Sequence, residues 1–327
     1  MTAAEFAPVF KTFVEAHDRF ILCGHIRPDG DSIGSCTAMA GYLTSLGKTA
    51  EIYYEGDLTH YEMIPQPVGR LDPLTVSDAC RKPFAWILLD CAQPSRTGQG
   101  QICAEHCSES ICIDHHVNMG EYADHNWIDP EATSVSEMLY RLFKACGYPL
   151  GQQEATSVFA GIAFDTGGFR HSSMTPEIYT IAGELAAAGV AITDVMNGLF
   201  HTKTMKEQKV LGAILRKARL YRGCIVVSEM DQADLKQAGA TSDDCEGAVA
   251  VIAETKEAEA AVFLRELTNG QIRVNMRSKK YIDVAEVGRA FGGGGHVRAA
   301  GCTLEGPMLM AKQQILNELY RQLPEES

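Results

Sequence analysis

Two uninterrupted apolar runs in this chain close on an acid: PFAWILLD ends at Asp90 and SICID at Asp114. A third run, Phe20 to Cys23, leads straight into Gly24-His25-Ile26-Arg27-Pro28-Asp29-Gly30-Asp31-Ser32. Runs without polar alternation are what strands covered on both faces look like, and such strands belong to a mainly parallel sheet. Between the first run and another strand-like stretch, Ala50 to Tyr54, the segment Ser32 to Leu46 places Ile33, Cys36, Ala40 and Leu43 at helical intervals. The alternation predicts an α/β domain with helices flanking the sheet.

Further helices are legible from their ends. Ser134 and Glu137 stand at capping-box spacing before Met138, Leu139, Leu142 and Phe143, with a stop at Gly147. Val158 to Phe164 reads as a helix entering Asp165-Thr166-Gly167-Gly168, and Thr175-Pro176-Glu177 opens another that ends near Gly189. Near the N-terminus Phe6, Val9, Phe10, Phe13 and Val14 share one helix face. The texture then changes. Cys224 to Val227 reads as a strand, and VFLREL and QIRVNMRS flank Thr268-Asn269-Gly270, a strong hairpin signal. In the second of these strands Ile272, Val274 and Met276 share one face while Arg273, Asn275 and Arg277 share the other. A second, smaller and mostly antiparallel α+β domain is expected, as suits 327 residues.

The chemistry gathers where the apolar runs end. Open α/β sheets bind ligands at the carboxyl edge of their strands, and His25, Asp29, Asp31, Asp90, Asp114, His115 and His116 all fall there. Asp165, in a glycine-rich turn after an apolar helix, adds a fourth group. A lone aspartate after a strand is usually a turn residue, and Asp31 alone could merely cap the next helix. Five carboxylates and three histidines in corresponding places point instead to a two-metal site.

A second cluster lies near the C-terminus. Gly292 to Gly295 followed by His296 and Arg298, with Arg277 and Ser278 earlier, offers backbone N–H groups and cationic donors for an anion. Arg96 and Arg170 are further candidates for phosphate contacts. Arg265 and Arg273 read more simply as a solvated strand face.

Composition narrows the function classes. A formal net charge of −13 disfavours coating of long duplex nucleic acid, which rests on Lys and Arg neutralising phosphates. No apolar run approaches the roughly 20 residues of a membrane helix, and the N-terminus lacks a signal-peptide layout. The cysteines number 11, an odd count in mostly apolar contexts, which favours reduced thiols and a cytoplasmic location. Cys103, Cys107 and Cys112 lack the close pair expected of a zinc site.

His25-x-x-x-Asp29-x-Asp31, Asp90, Asp114-His115-His116 and Asp165 resemble the four motifs of the DHH phosphoesterase superfamily, and the Arg-Ser and glycine-histidine segments resemble its DHHA1 domain. The resemblance implies a DHH domain over 1–190, a helical connector over 191–219 and a DHHA1 domain over 220–327. It implies that His25, Asp29 and Asp90 hold one divalent ion, and that Asp31, Asp90, His115 and Asp165 hold the other. Mn²⁺ suits this mixed donor set best, with Mg²⁺ or Co²⁺ as alternatives. His116 is then the catalytic histidine and Asp114 its orienting partner. Arg277, Ser278, Gly293, Gly294, Gly295, His296 and Arg298 become substrate-binding residues. The implied activity is hydrolysis of short oligonucleotides to mononucleotides, with dephosphorylation of nucleotide bisphosphates such as 3′-phosphoadenosine-5′-phosphate, by two-metal activation of water. The alternatives are a linear or cyclic dinucleotide phosphodiesterase, or a nucleotide-binding regulator without catalysis. A homodimer is the family-level expectation.

Overall fold

The computed structural model describes residues 1–66, 69–91, 93–116, 122–170, 174–245 and 247–324. The chain forms two compact units, Met1–Thr202 and Lys203–Ser327. The expected connector over 191–219 spans the division between them.

The first unit is built on β1 (Arg19–Cys23), β2 (Thr49–Tyr53), β3 (Gly69–Leu71), β4 (Ala85–Leu89), β5 (Ser110–Asp114) and β6 (His125–Ile128), in the order β3-β2-β1-β4-β5-β6. Every pairing is parallel. Around the sheet run α1 (Ala3–Ala16), α2 (Gly30–Ser45), α3 (Val76–Ala79), α4 (Cys103–His106), α5 (Val135–Cys146), α6 (Gln152–Asp165), α7 (Pro176–Ala187) and α8 (Ile192–Phe200). Phe20, Leu22, Ile87, Leu89, Ile111 and Ile113 point into one core with α1, α2, α5 and α6. Their neighbours Ile21, Cys23, Trp86, Leu88 and Cys112 point into another with Val76, Cys80 and Cys103. Burial on both faces explains why these strands lack polar alternation. The strand order reverses between β1 and β4, and that switch point is where doubly wound sheets open a crevice.

Three local readings are corrected. Val9 is 37% exposed, and Ala7 takes its place on the buried face of α1. The α2 helix begins two residues early, because Asp29 is its N-cap, accepting the N–H groups of Asp31 and Ser32 at 3.1 Å. Ser134 does cap α5, but Glu137 does not return to it. The Glu137 carboxylate takes Thr133 N and Oγ1 at 2.7 Å each and pairs with Arg141, so a charged partner outcompetes the cap backbone.

The second unit holds α9 (Met205–Lys217), β7 (Arg219–Tyr221), β8 (Ile225–Met230), α10 (Gln232–Ala238), α11 (Ala248–Ala253), β9 (Ala260–Glu266), β10 (Ile272–Ser278), α12 (Val284–Ala290), β11 (Gly294–His296), β12 (Ala299–Leu304) and α13 (Met308–Arg321). Its sheet, ordered β11-β12-β10-β9-β8-β7, is antiparallel except for the β8–β9 pair. Ile272, Val274 and Met276 are buried with α12 and α13 as their alternation predicts. Val226, Ala261 and Phe263 face α9, α10 and α11 on the other side. All cysteines are free; Cys103 and Cys112 are buried and Cys107 is half-buried. Among the described residues no single helix is long and apolar enough to cross a membrane.

Candidate active site

The switch point collects the predicted ligands from four places in the fold. His25 and Asp29 come from the loop between β1 and α2, Asp31 from the first turn of α2, and Asp90 from the residue after β4. Asp114 ends β5, His115 and His116 follow it, and Asp165 is the last residue of α6. Donor atoms of His25, Asp29 and Asp90 all lie within 4.8 Å of one another, as do those of Asp31, His115 and Asp165. Asp90, Asp114, His115 and His116 form a third such group, so Asp90 faces both histidine sides.

The distances show how the two groups share Asp90. Its Oδ2 is 3.4 Å from His25 Nε2, and its Oδ1 is 3.7 Å from His115 Nε2. Asp29 Oδ2 is 3.5 Å from His25 Nε2, and Asp165 Oδ2 is 3.2 Å from His115 Nε2. Asp90 is 2% exposed and holds a left-handed φ of 54°, a conformation that crowds any side chain. The turn that results sets its carboxylate between the two imidazoles.

Both imidazoles are fixed for the same task. His25 Nδ1 lies 2.9 Å from Ile26 O and His115 Nδ1 lies 3.3 Å from Ala132 O. A carbonyl accepts only, so Nδ1 carries the proton in each ring and the Nε2 lone pair is turned toward carboxylate oxygens. Two acceptors this close repel unless a positive charge lies between them. A proton can fill that role: burial works against charged His25, but Asp29 and Asp90 outweigh it and raise its pKa to about 10. His115 is likewise raised to about 10, burial being outweighed by Asp165, Asp31 and Asp90. A divalent cation fills the same role with more charge, and imidazole nitrogens backed by carbonyls are usual metal ligands.

The carboxylates carry the complementary strain. Asp31 is fully buried, and burial together with the charges of Asp165 and Asp90 pushes its pKa well up. Asp90 is raised to about 6, by burial first and then by Asp29 and Asp165 against the pull of His25. Such a group of acids is relieved by protons or by cations among them, and the donor set fits divalent metal. Asp31 has help that the sequence does not reveal. Val135 N and Ser136 N, at the start of α5, donate to its two oxygens at 2.7 and 2.9 Å. A helix N-terminus favours an anion there. Gly161 makes room, since a Cβ on it would stand 2.6 Å from Asp31 Oδ1 and 1.9 Å from Ser136 Oγ.

His116 differs from the other two. Its Nδ1 lies 2.7 Å from Asp114 Oδ1, so Nδ1 donates and Nε2 is left for other partners. Asp114 Oδ1 also accepts the N–H groups of His115 and His116. Burial opposes the charge of Asp114, but these bonds hold its pKa below the usual carboxylate range.

In the second unit the residues expected to bind a phosphate are only partly free. Ser278 Oγ donates to Ile282 O at 2.7 Å, and Arg298 donates to the carbonyls of Ile282 and Lys280. The Arg277 guanidinium donates to the carbonyl of Met276 at 3.3 Å, and desolvation lowers its pKa. The glycine run forms β11 against β12. A Cβ on Gly293 would meet Gly301 O at 2.1 Å and one on Gly295 would meet Ala299 O at 2.4 Å, so close strand approach demands glycine at both. Gly294 and His296 remain exposed. Arg170 Nε donates to Gly167 O at 2.7 Å, closing its own turn.

Residues 19–162 match the DHH family, N-terminal domain, and residues 222–324 match the DHHA1 domain; the chain belongs to the DHH/DHHA1 family. It is 29% identical over 301 residues to the bifunctional oligoribonuclease and PAP phosphatase NrnA of Thermus thermophilus, covering 91% of this chain and 88% of that protein. The protein of the same name from Bacillus subtilis is 28% identical over 294 residues, covering 89% and 91%. An exopolyphosphatase-related protein from Bacteroides fragilis has the same fold, with a TM-score of 0.90 at 24% identity over 97% of this chain and 96% of that one.

Proposed function

We propose that this chain is a metal-dependent phosphoesterase that cleaves short oligoribonucleotides to mononucleotides and removes a phosphate from 3′-phosphoadenosine-5′-phosphate. The observation that carries the reading is Asp90, shared between His25 and His115 at 3.4 and 3.7 Å. A carboxylate in that position suits a bridge between two cations. The relatives' names supply the substrate class.

His25, Asp29 and Asp90 would hold one ion, and Asp31, Asp90, His115 and Asp165 the other. Two divalent ions, preferably Mn²⁺ for mixed nitrogen and oxygen donors, supply Lewis-acid activation of phosphate and of water when bound. The residues do the rest. Asp29 and Asp31, anchored by the α2 and α5 N-termini, keep their oxygens aimed without large motion. His116, oriented by Asp114 through Nδ1, would in its protonated form give the Nε2 proton to the departing sugar oxygen and be left as the neutral Nδ1–H imidazole. Arg277, Gly294 and His296 take a phosphate of the substrate, with Gly293, Gly295, Ser278 and Arg298 shaping that segment. The net charge of −13 agrees with short substrates rather than long polyanions.

The test is release of mononucleotides from a 5′-phosphorylated diribonucleotide, and of phosphate from 3′-phosphoadenosine-5′-phosphate, with and without Mn²⁺. Turnover of neither, alongside tight nucleotide binding, would establish a regulator instead.

A further inference from the structure

The sheet face of the second unit that carries Arg277 continues for two more rungs, and the register fixes what stands on it. Residues directly opposite in paired strands share a face, as do alternate residues along one strand. Arg277, Ala299 and His296 occupy one rung, Asn275, Gly301 and Gly294 the next, and Arg273 and Thr303 the one after. The other face of these strands is the core built from Ile272, Val274, Met276, Ala300 and Cys302. Along β10, Asn275 lies about 7 Å and Arg273 about 14 Å from Arg277.

The middle rung is a floor without side chains on two of its three strands. A Cβ on Gly301 would stand 2.9 Å from Val274 O, 3.3 Å from Arg273 Nη2 and 3.6 Å from Asn275 Nδ2, so the guanidinium and the amide both lean over this glycine. A Cβ on Gly294 would meet nothing within 4 Å. Open space thus adjoins two donor groups.

The sequence favours a solvated strand face for Arg273, yet it is half-buried, as are Asn275 and Arg277. Elsewhere in the chain arginines meet acids: Arg19 pairs with Glu51 and Arg141 with Glu177. Among the described residues no acid pairs with Arg273, and its Nη1 donates to Thr303 Oγ1 at 3.3 Å. Directly opposite it on β9 stands another cation, Arg265, whose guanidinium donates to Ser242 O. Like charges opposite each other on a sheet repel, and a half-buried guanidinium forgoes part of its hydration. An anion on this face relieves both, and a phosphate matches the arginine fork.

We propose that Arg273 and Asn275, over the floor of Gly301 and Gly294, form a second anion subsite that takes a backbone phosphate of an oligonucleotide longer than a dinucleotide, beyond the phosphate taken at Arg277 and His296. This rests on the phosphoesterase reading above and deepens it to substrate length.

The experiment uses the full-length protein with Mn²⁺. Turnover is measured on 5′-phosphorylated di-, tri- and tetra-adenylates, and equilibrium binding on their phosphorothioate counterparts, which resist hydrolysis. Arg273→Gln should weaken binding of the longer two about tenfold more than binding of the dinucleotide, with the same split in KM and little change in kcat. For the longer two it should also reduce the slope of log Kd against log salt by about 0.7, the loss of one phosphate contact. Asn275→Ala should act in the same direction by a smaller factor. Arg273→Lys should recover part of the loss, since an ammonium keeps the charge without the fork. Equal losses at every length, an unchanged length preference or an unchanged salt slope in Arg273→Gln would each overturn the proposal. If wild type shows the length-dependent binding but cleaves none of the three, the subsite stands and the phosphoesterase reading fails.

Discussion

His116 Nδ1 lies 2.7 Å from the Oδ1 of Asp114, an oxygen that also takes two backbone N–H groups. The imidazole is thereby held with Nδ1 on Asp114 and Nε2 outward. Asp114→Asn weakens that hold while keeping the shape. We expect kcat to fall about 10- to 100-fold, the usual range for a residue that orients a catalytic partner, with KM little changed. Steady-state kinetics across pH would check it, and a fall confined to KM would count against the assignment.

Asp90→Ala removes a carboxylate that both histidine groups share. Metal-dependent turnover should disappear, and bound manganese per chain, measured on dialysed protein, should drop. The circular dichroism spectrum should stay that of wild type, because the β4 core lies before residue 90 and is left intact. Chelation of wild type should abolish activity reversibly, with Mn²⁺ restoring it.

Folding raises His25 and His115 from the ordinary imidazole value of 6.5 to about 10. The native state then binds more protons than the unfolded chain, so this contribution to stability is complete below about pH 6.5 and is lost as pH climbs through about 10. Metal-stripped protein should show a denaturation midpoint that falls between about pH 7 and about pH 10. Asp90, raised to about 6, acts in the same direction at lower pH. Saturating manganese replaces the protons and should remove the fall. A midpoint that rises with pH in chelator would contradict the geometry.

Gly161→Ala places a methyl group 1.9 Å from Ser136 Oγ and 2.6 Å from Asp31 Oδ1. Overpacking of this kind costs about 1–3 kcal/mol. The larger effect should be on metal: titration should show affinity at the Asp31, His115 and Asp165 group falling before affinity at the His25, Asp29 and Asp90 group. Equal weakening of both would argue that the damage is global.

Glu259→Ala leaves the N–H groups of Lys280, Tyr281 and Ile282 without their acceptor. Bonds to a charged group contribute about 1.5–3 kcal/mol each in favourable cases, but water reaches this loop, so a total near 3 kcal/mol is expected. Urea denaturation would measure it. Hydrogen exchange should accelerate at those three amides.

The sheet and the cluster of acids and histidines at its edge were readable because each rests on local chemistry. A strand covered on both faces needs apolar residues at every position, and the polar residue that ends it stands out, as Asp90 and Asp114 do. Asp31 shows where such reading stops. Its partners, Val135 N and Ser136 N, are more than 100 residues away in the chain and are backbone groups, which carry no signature in sequence. Ser278 and Arg298 illustrate a different gap. Their types suggest anion donors, yet both commit hydrogen bonds to the loop around Tyr281. The glycine run was legible as special but for another reason: at Gly293 and Gly295 a neighbouring strand occupies the space of a side chain.

The left-handed backbone of Asp90 gives this protein an unusual vulnerability. Glycine at this position would relieve the crowding at φ and remove a buried charge, and it would also take away the acceptor beside His25 and His115, so Asp90→Gly exchanges the shared carboxylate for an unstrained backbone. A selection that reads folding alone places no value on the shared carboxylate, and only a screen that also demands turnover would keep the aspartate.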